Sequence, residues 1–70
     1  MTLSEFINHI KHNSLQISII ELDNGSSGFY TKYSSTIGEL KTSVFYQKMM
    51  NKTIVIVYCL DNEFRIRLGE

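Results

Sequence analysis

Glu5, His9 and His12 fall at i, i+4 and i+7. On a helix that spacing sets three potential ligands on one face and could present them to a divalent metal. No fourth ligand accompanies them, and exposed helix faces are polar by default, so a solvated face is the stronger reading. Cys59 is the single thiol. A nucleophilic cysteine needs a nearby base and an accessible, electropositive setting. Cys59 sits mid-strand in an apolar run, with both histidines expected on the far side of helix one, and is expected as a small buried core residue. Gly25-Ser26-Ser27-Gly28 has the glycines of a phosphate loop but lacks the Lys and helix that must follow. No Ser-His-Asp framework is discernible. The expectation is a chain with no catalytic residues, no metal and no cofactor.

What remains is the chemistry of binding, concentrated between Lys52 and Leu68. Thr53 to Leu60 is an unbroken apolar and β-branched run, Asp61-Asn62 supplies turn residues, and Glu63-Phe64-Arg65-Ile66-Arg67-Leu68 alternates strictly. This pattern predicts a β-hairpin with one strand apolar on both faces and one strand lined by arginine on a single face. With a two-residue turn at Asp61-Asn62, Cys59 pairs with Phe64 and Val57 with Ile66. Val55, Val57 and Cys59 then join Phe64, Ile66 and Leu68 in the core, leaving Ile54, Ile56, Tyr58 and Leu60 beside Arg65 and Arg67. A three-residue turn instead pairs Leu60 with Phe64 and puts Val55, Val57 and Cys59 beside the arginines. In both registers an apolar row shares a face with Arg65 and Arg67. Tyr, Ile and Arg together form a plausible hot spot for a protein partner or for self-association. Arginine stems folding over a face that the chain itself covers is the competing reading.

Gly28-Phe29-Tyr30-Thr31-Lys32-Tyr33 has the aromatic spacing of strands that stack nucleic-acid bases. The element order does not suit such a sheet, and neighbouring charge is low, so an ordinary half-exposed strand is favoured. Tyr30 and Tyr33 are expected as rim contacts extending the protein-binding face. The chain has 7 basic and 7 acidic residues with no run of like charge, which argues against a phosphate-tracking surface and against an acidic nucleic-acid mimic. A regulator binding nucleic acid through Lys32, Lys41, Lys48, Lys52, Arg65 and Arg67 is therefore the weakest functional alternative. One Cys excludes an internal disulfide and fits a reducing cytoplasm. The opening residues Met1-Thr2-Leu3-Ser4-Glu5 do not read as a signal peptide. The longest apolar run falls far short of the roughly 20 residues of a membrane span. A cytoplasmic protein with no membrane partner is expected.

These residues must be positioned by few elements. The 70 residues make one domain, spanning residues 1–70, near the size at which a single core barely outweighs chain entropy. Thr2 and Glu5 form a capping box for a helix over Leu3 to His12, with Leu3, Phe6, Ile7 and Ile10 as its apolar stripe. Leu15 to Leu22 reads as a strand, with Leu15, Ile17 and Ile19 on one face. Asp23-Asn24-Gly25, lengthened by Ser26, Ser27 and Gly28, is a hairpin turn signal. Phe29 to Tyr33 returns, and Ser34-Ser35-Thr36 is expected to break the strand. Thr36 and Glu39 repeat the capping spacing ahead of one or two short helical turns over Ile37 to Met50, with Leu40, Val44, Phe45 and Met49 facing inward. The recurring Thr-x-x-Glu and Asp-Asn pairs fit two helix starts and two turns using the same chemistry, with internal duplication the less favoured reading. The predicted fold is α+β: a single small α-β-β-α-β-β domain whose four-stranded, mostly antiparallel sheet carries two helices on one face.

The frame Thr2-Leu3-x-Glu5-Phe6-Ile7, Asp23-Asn24-Gly25, Gly38-Glu39-Leu40, Val55-x-Val57 and Asp61-Asn62-Glu63-Phe64-x-Ile66-x-Leu68 spans most of the chain. It resembles small accessory proteins of Gram-positive phages and mobile elements, among them anti-CRISPR and other anti-defence inhibitors. The resemblance implies a cytoplasmic, non-enzymatic protein in the bacterial host that binds and blocks a host defence complex, such as a CRISPR effector nuclease. It supplies no catalytic motif to carry over. Neutral charge departs from the acidic, DNA-mimicking members. The alternative from a different class is a small homodimeric structural or regulatory protein, pairing through the hairpin face or the Leu68 strand edge.

Overall fold

Thr2 and Glu5 start the first helix, α1 (Leu3–Asn8), in the computed structural model, which describes residues 1–23, 25 and 28–69. Thr2 Oγ1 accepts from the Glu5 N–H at 3.3 Å, and Glu5 Oε1 accepts from the Thr2 N–H at 2.9 Å. That reciprocal pair is the capping box. The N–H groups of Leu3 and Ser4 donate to the carbonyls of Lys52 and Met50, each at 2.9 Å. The helix start, whose donors have no partners within the helix, is thereby tied to the segment leading into the final hairpin. The helix stops well before His12. His9 and Ile10 donate back to Phe6 and Ile7, three residues earlier, at 3.1 Å, a tightened last turn that ends it.

The remaining elements are β1 (Gln16–Leu22), β2 (Phe29–Thr36), α2 (Ile37–Lys41), α3 (Val44–Met49), β3 (Ile54–Leu60) and β4 (Glu63–Leu68). The sheet is four-stranded in the order β2-β1-β4-β3. Its outer pairs are antiparallel and its central β1–β4 pair is parallel. The fold is therefore α+β with a mostly antiparallel sheet. The helical segment after β2 carries the chain across the sheet from one edge to the other and divides at Ser43. Ser43 Oγ donates to the Leu40 carbonyl at 2.7 Å and accepts from the Tyr46 N–H at 3.0 Å, so one hydroxyl closes α2 and caps α3.

Strand β2 runs past its expected break, because Ser34, Ser35 and Thr36 pair with Ser18, Ile17 and Gln16. At the turn signal after β1, Asn24, Ser26 and Ser27 lie outside the described residues. Asp23 N–H donates to Gly28 O at 3.0 Å, and Gly25 N–H donates to Asp23 Oδ1 at 2.9 Å, the local bonding that suits Asp to turns.

Leu3, Ile7, Ile17, Ile37, Leu40 and Ile66 are fully buried, with Ile19 joining the same cluster. Phe6 of α1 meets Phe64 of β4 edge-on at 5.4 Å, and Phe45 of α3 stacks on Tyr33 of β2 at 4.6 Å. With Ile37 and Leu40 of α2 in the same core, α1, α2 and α3 cover one face of the sheet. Val44, expected inward, is 65% exposed. Phe45 and Met49, an i, i+4 pair, take the inward face of α3, so the adjacent position points away.

Candidate functional site: the open sheet face

Asp61 and Asn62 both adopt positive φ, 54° and 62°. Two successive left-handed residues define the type I′ turn whose twist suits a tight hairpin. The two-residue register follows: Cys59 pairs with Phe64, Val57 with Ile66, Tyr58 with Arg65 and Leu60 with Glu63. Because the helices cover the Phe64–Ile66 side, Ile56, Tyr58 and Leu60 stand with Arg65 and Arg67 on the open face.

Three expectations about this hairpin are corrected. Ile54 is not in the binding row: the register shifts between Ile54 and Ile56, so Ile54 pairs with Leu68 and packs, partly buried, against the core. A bulge at Val55 switches the face of everything before it. Val55, Val57 and Cys59, expected in the core, are all exposed. The buried helix side chains cluster with β1 and β4, leaving the outermost strand uncovered. The Leu68 strand is central in the sheet, so it offers no free edge.

A second bulge decides which aromatic residues join the face. The β1–β2 register shifts between Ile19 and Ile20, opposite Tyr33 and Thr31, with Lys32 as the extra residue. Tyr33, paired with the core residue Ile19, points to the helices and stacks on Phe45. The bulge brings Tyr30, paired with Glu21, to the helix side as well. Its hydroxyl donates to Glu21 Oε2 at 3.2 Å, and Glu21 pairs with Lys32 Nζ at 3.2 Å. Lys32, then the Tyr30 hydroxyl, hold the Glu21 carboxyl below its ordinary pKa, and the same carboxylate raises that of Tyr30. Neither tyrosine forms the expected rim. Phe29 takes that place: Arg67 reaches across β1 until its guanidinium carbon lies 5.8 Å from the Phe29 ring centroid, a cation–π geometry. Only the bulge reveals Phe29, since unbroken alternation from Tyr33 would put Phe29 on the opposite face.

The open face therefore carries Leu22, Phe29, Ile56, Tyr58 and Leu60, each between 38% and 49% exposed. Arg67 lies among them and makes no ion pair among the described residues. Arg65 differs. Its Nε donates to Glu63 Oε2 at 3.1 Å, while the buried Ser18 hydroxyl donates to Glu63 Oε1 at 2.7 Å and lies 3.3 Å from Ser34 Oγ. Ser18 first, with Arg65, holds the Glu63 carboxyl below its ordinary pKa; Glu63, then the Tyr58 phenol, raise that of Arg65. This network pins three strands together at the turn end of the face.

A depressed folded-state pKa adds stability that is fully present above the ordinary carboxylate value of 4.5 and is lost as pH falls through the lowered value. Glu63→Gln is expected to remove that part of the acid dependence. Urea unfolding of both proteins at about pH 6 and about pH 3 measures it, with Glu5 and Glu21 unchanged in both. Equal losses on acidification would show that Glu63 carries none of the effect.

The other chemistry-bearing residues do not converge. Glu5 is engaged by Thr2, His9 Nδ1 lies 2.6 Å from the Glu5 carbonyl, and His12 lies beyond the end of α1. Among the described residues no three His, Cys, Asp or Glu side chains gather to hold an ion. The basic residues also divide. Lys32 and Lys52 line a cleft beside α3 with Glu21, Phe45 and Met49, Lys41 Nζ donates to Asn13 Oδ1, and the arginines occupy the opposite face. That cleft measures 140 Å³, below the roughly 300–1,000 Å³ of small-molecule sites. No helix among the described residues is long and apolar enough to cross a membrane.

No family model, curated protein or solved structure matches the chain. The functional reading accordingly rests on the open face itself, whose exposed groups are aromatic, aliphatic and guanidinium side chains.

Proposed function

We propose that this chain is a non-enzymatic, protein-binding inhibitor that acts by occupying a partner through its open sheet face. The observation that carries the reading is the uncovered set Phe29, Ile56, Tyr58 and Leu60 around Arg67. Aromatic and guanidinium groups at the centre of an apolar patch are the groups that dominate protein interfaces. Arg67, without an ion-pair partner among the described residues, asks for a carboxylate on the other side. The complementary surface is an apolar patch carrying an acidic residue. Binding works by steric occlusion or by holding the partner in an inactive state, with no turnover.

The resemblance to small accessory proteins of Gram-positive phages and mobile elements directs the choice of target, a cytoplasmic host defence complex such as a CRISPR effector nuclease. The test is DNA cleavage by purified Gram-positive CRISPR effectors titrated with the chain, with Ile56→Asp as the paired control. Cleavage is expected to fall along a stoichiometric titration and to be restored by Ile56→Asp, with circular dichroism unchanged. Undiminished cleavage across the effector types, with no complex formed on gel filtration, would remove the anti-CRISPR reading. Inhibition retained by Ile56→Asp would remove the open face from it.

A further inference from the structure

The two edges of the sheet are built differently. Edge strand β2 carries Lys32 in mid-strand and a bulge at the same place, two devices that keep an edge from pairing with another chain. Edge strand β3 has neither beyond its start. Its bulge lies between Ile54 and Ile56, and from Thr53 to Leu60 it contains no charged residue, no Pro and no Gly. Val55, Ile56, Val57, Tyr58, Cys59 and Leu60 are all exposed. A flat apolar edge of this kind is a template for strand addition.

The hairpin register shows which backbone groups the edge offers. A two-residue turn is flanked by a hydrogen-bonded pair, here Leu60 with Glu63, and bonded pairs alternate along the ladder. Leu60, Tyr58 and Ile56 therefore direct their N–H and C=O groups to β4, and Val57 and Cys59 direct theirs outward. The start of the strand is already occupied, since Ile54 N–H donates to Met1 O at 2.8 Å and Thr2 bridges to Thr53. The free stretch of the edge is the one centred on Tyr58.

We infer that β3 pairs antiparallel with β3 of a second copy about a two-fold axis at Tyr58, joining the two four-stranded sheets into one. This register sets Val57 against Cys59 of the second copy and satisfies every outward backbone group of both residues. A two-fold at Val57 would instead need Val55, whose backbone is diverted by the bulge. The side-chain rows match in the same register: Ile56 faces Leu60 of the second copy, and Tyr58 faces its own symmetry mate. Like charges stay apart in this register, since the two Asp61 residues stand about 20 Å from each other at roughly 3.3–3.4 Å per residue. The interface is isologous, so a single sequence supplies both halves. It does not depend on the inhibitor reading, and it makes the two open faces continuous.

Analytical ultracentrifugation of the full chain, with oxidative cross-linking, tests this pairing. The expected mass is twice 8.1 kDa, falling to a single chain in Val57→Pro, which removes only an outward N–H, and in Val57→Lys, which adds a charge to the edge without restricting the backbone. In a Cys59→Ser background, Tyr58→Cys is expected to form a disulfide-linked dimer, because a non-hydrogen-bonded pair places its Cα atoms about 4.5 Å apart. Ile56→Cys in that background is expected to stay unlinked, its symmetry mate lying about 13 Å away. A single-chain mass at about 100 μM, a dimer unaffected by both Val57 variants, or linking through residue 56 in preference to 58 would each overturn the pairing. So would a chain that remains single and binds another protein's strand along β3.

Discussion

Leu40→Ala and Ile66→Ala are each expected to leave much of the chain unfolded at physiological temperature. Both side chains are fully buried, Leu40 on α2 and Ile66 on central strand β4, where it lies between Ile19 and Val57 in register. Removing such a side chain costs about 2–5 kcal/mol through lost transfer energy and the cavity left behind. A 70-residue domain has a total stability of only about 3.5–10 kcal/mol at about 0.05–0.15 kcal/mol per residue, so either truncation consumes a large fraction. Val44→Ala supplies the contrast: the same helical segment, but a side chain 65% exposed and an expected change within about 0.5 kcal/mol. Urea midpoints for the three variants measure the difference. Comparable losses at Val44 and Leu40 would place the inward face of this segment elsewhere.

The second large effect concerns binding. On the inhibitor reading proposed above, Arg67→Glu is expected to raise the half-inhibitory concentration by about 30-fold or more, equivalent to about 2 kcal/mol, with the fold intact. Arg67 lies on the Phe29 ring with no ion pair among the described residues, so reversing its charge changes what the face presents and breaks no internal salt bridge. Phe29→Ala is expected to weaken inhibition in the same direction by removing the platform beneath the guanidinium. Arg65→Glu makes a poorer probe, since it sets two carboxylates together in the Ser18–Glu63 network and changes stability along with binding. Undiminished inhibition by Arg67→Glu would exclude the open face as the docking surface and direct attention to the helix side.

Much of this protein was legible in its sequence because the signals were local. Thr2 with Glu5 marked a helix start, Thr36 with Glu39 marked another, and the strict alternation of Glu63 to Leu68 distinguished its core side from its arginine side. Asp61-Asn62 signalled a turn. Sequence left its length open between two registers, and the positive φ of both residues decided it. Short-range chemistry of this kind is carried by residues within a few positions of one another, and it does not depend on what packs above.

Tertiary structure decided the rest. Two bulges, at Val55 and at Lys32, reversed the alternation and exchanged Ile54 for the core and Tyr30 for Phe29 on the face. A bulge is a relation between two strands, so neither strand's own pattern reveals it. Strand order had the same consequence for Val57 and Cys59: their apolar character fits a buried strand, but an outermost position under no helix leaves them exposed. The sequence by itself determined the elements, their capping and the apolar, arginine-bearing character of the last hairpin. Which of those apolar residues the protein buries, and which it leaves exposed, was set by long-range pairing that no local spacing encodes.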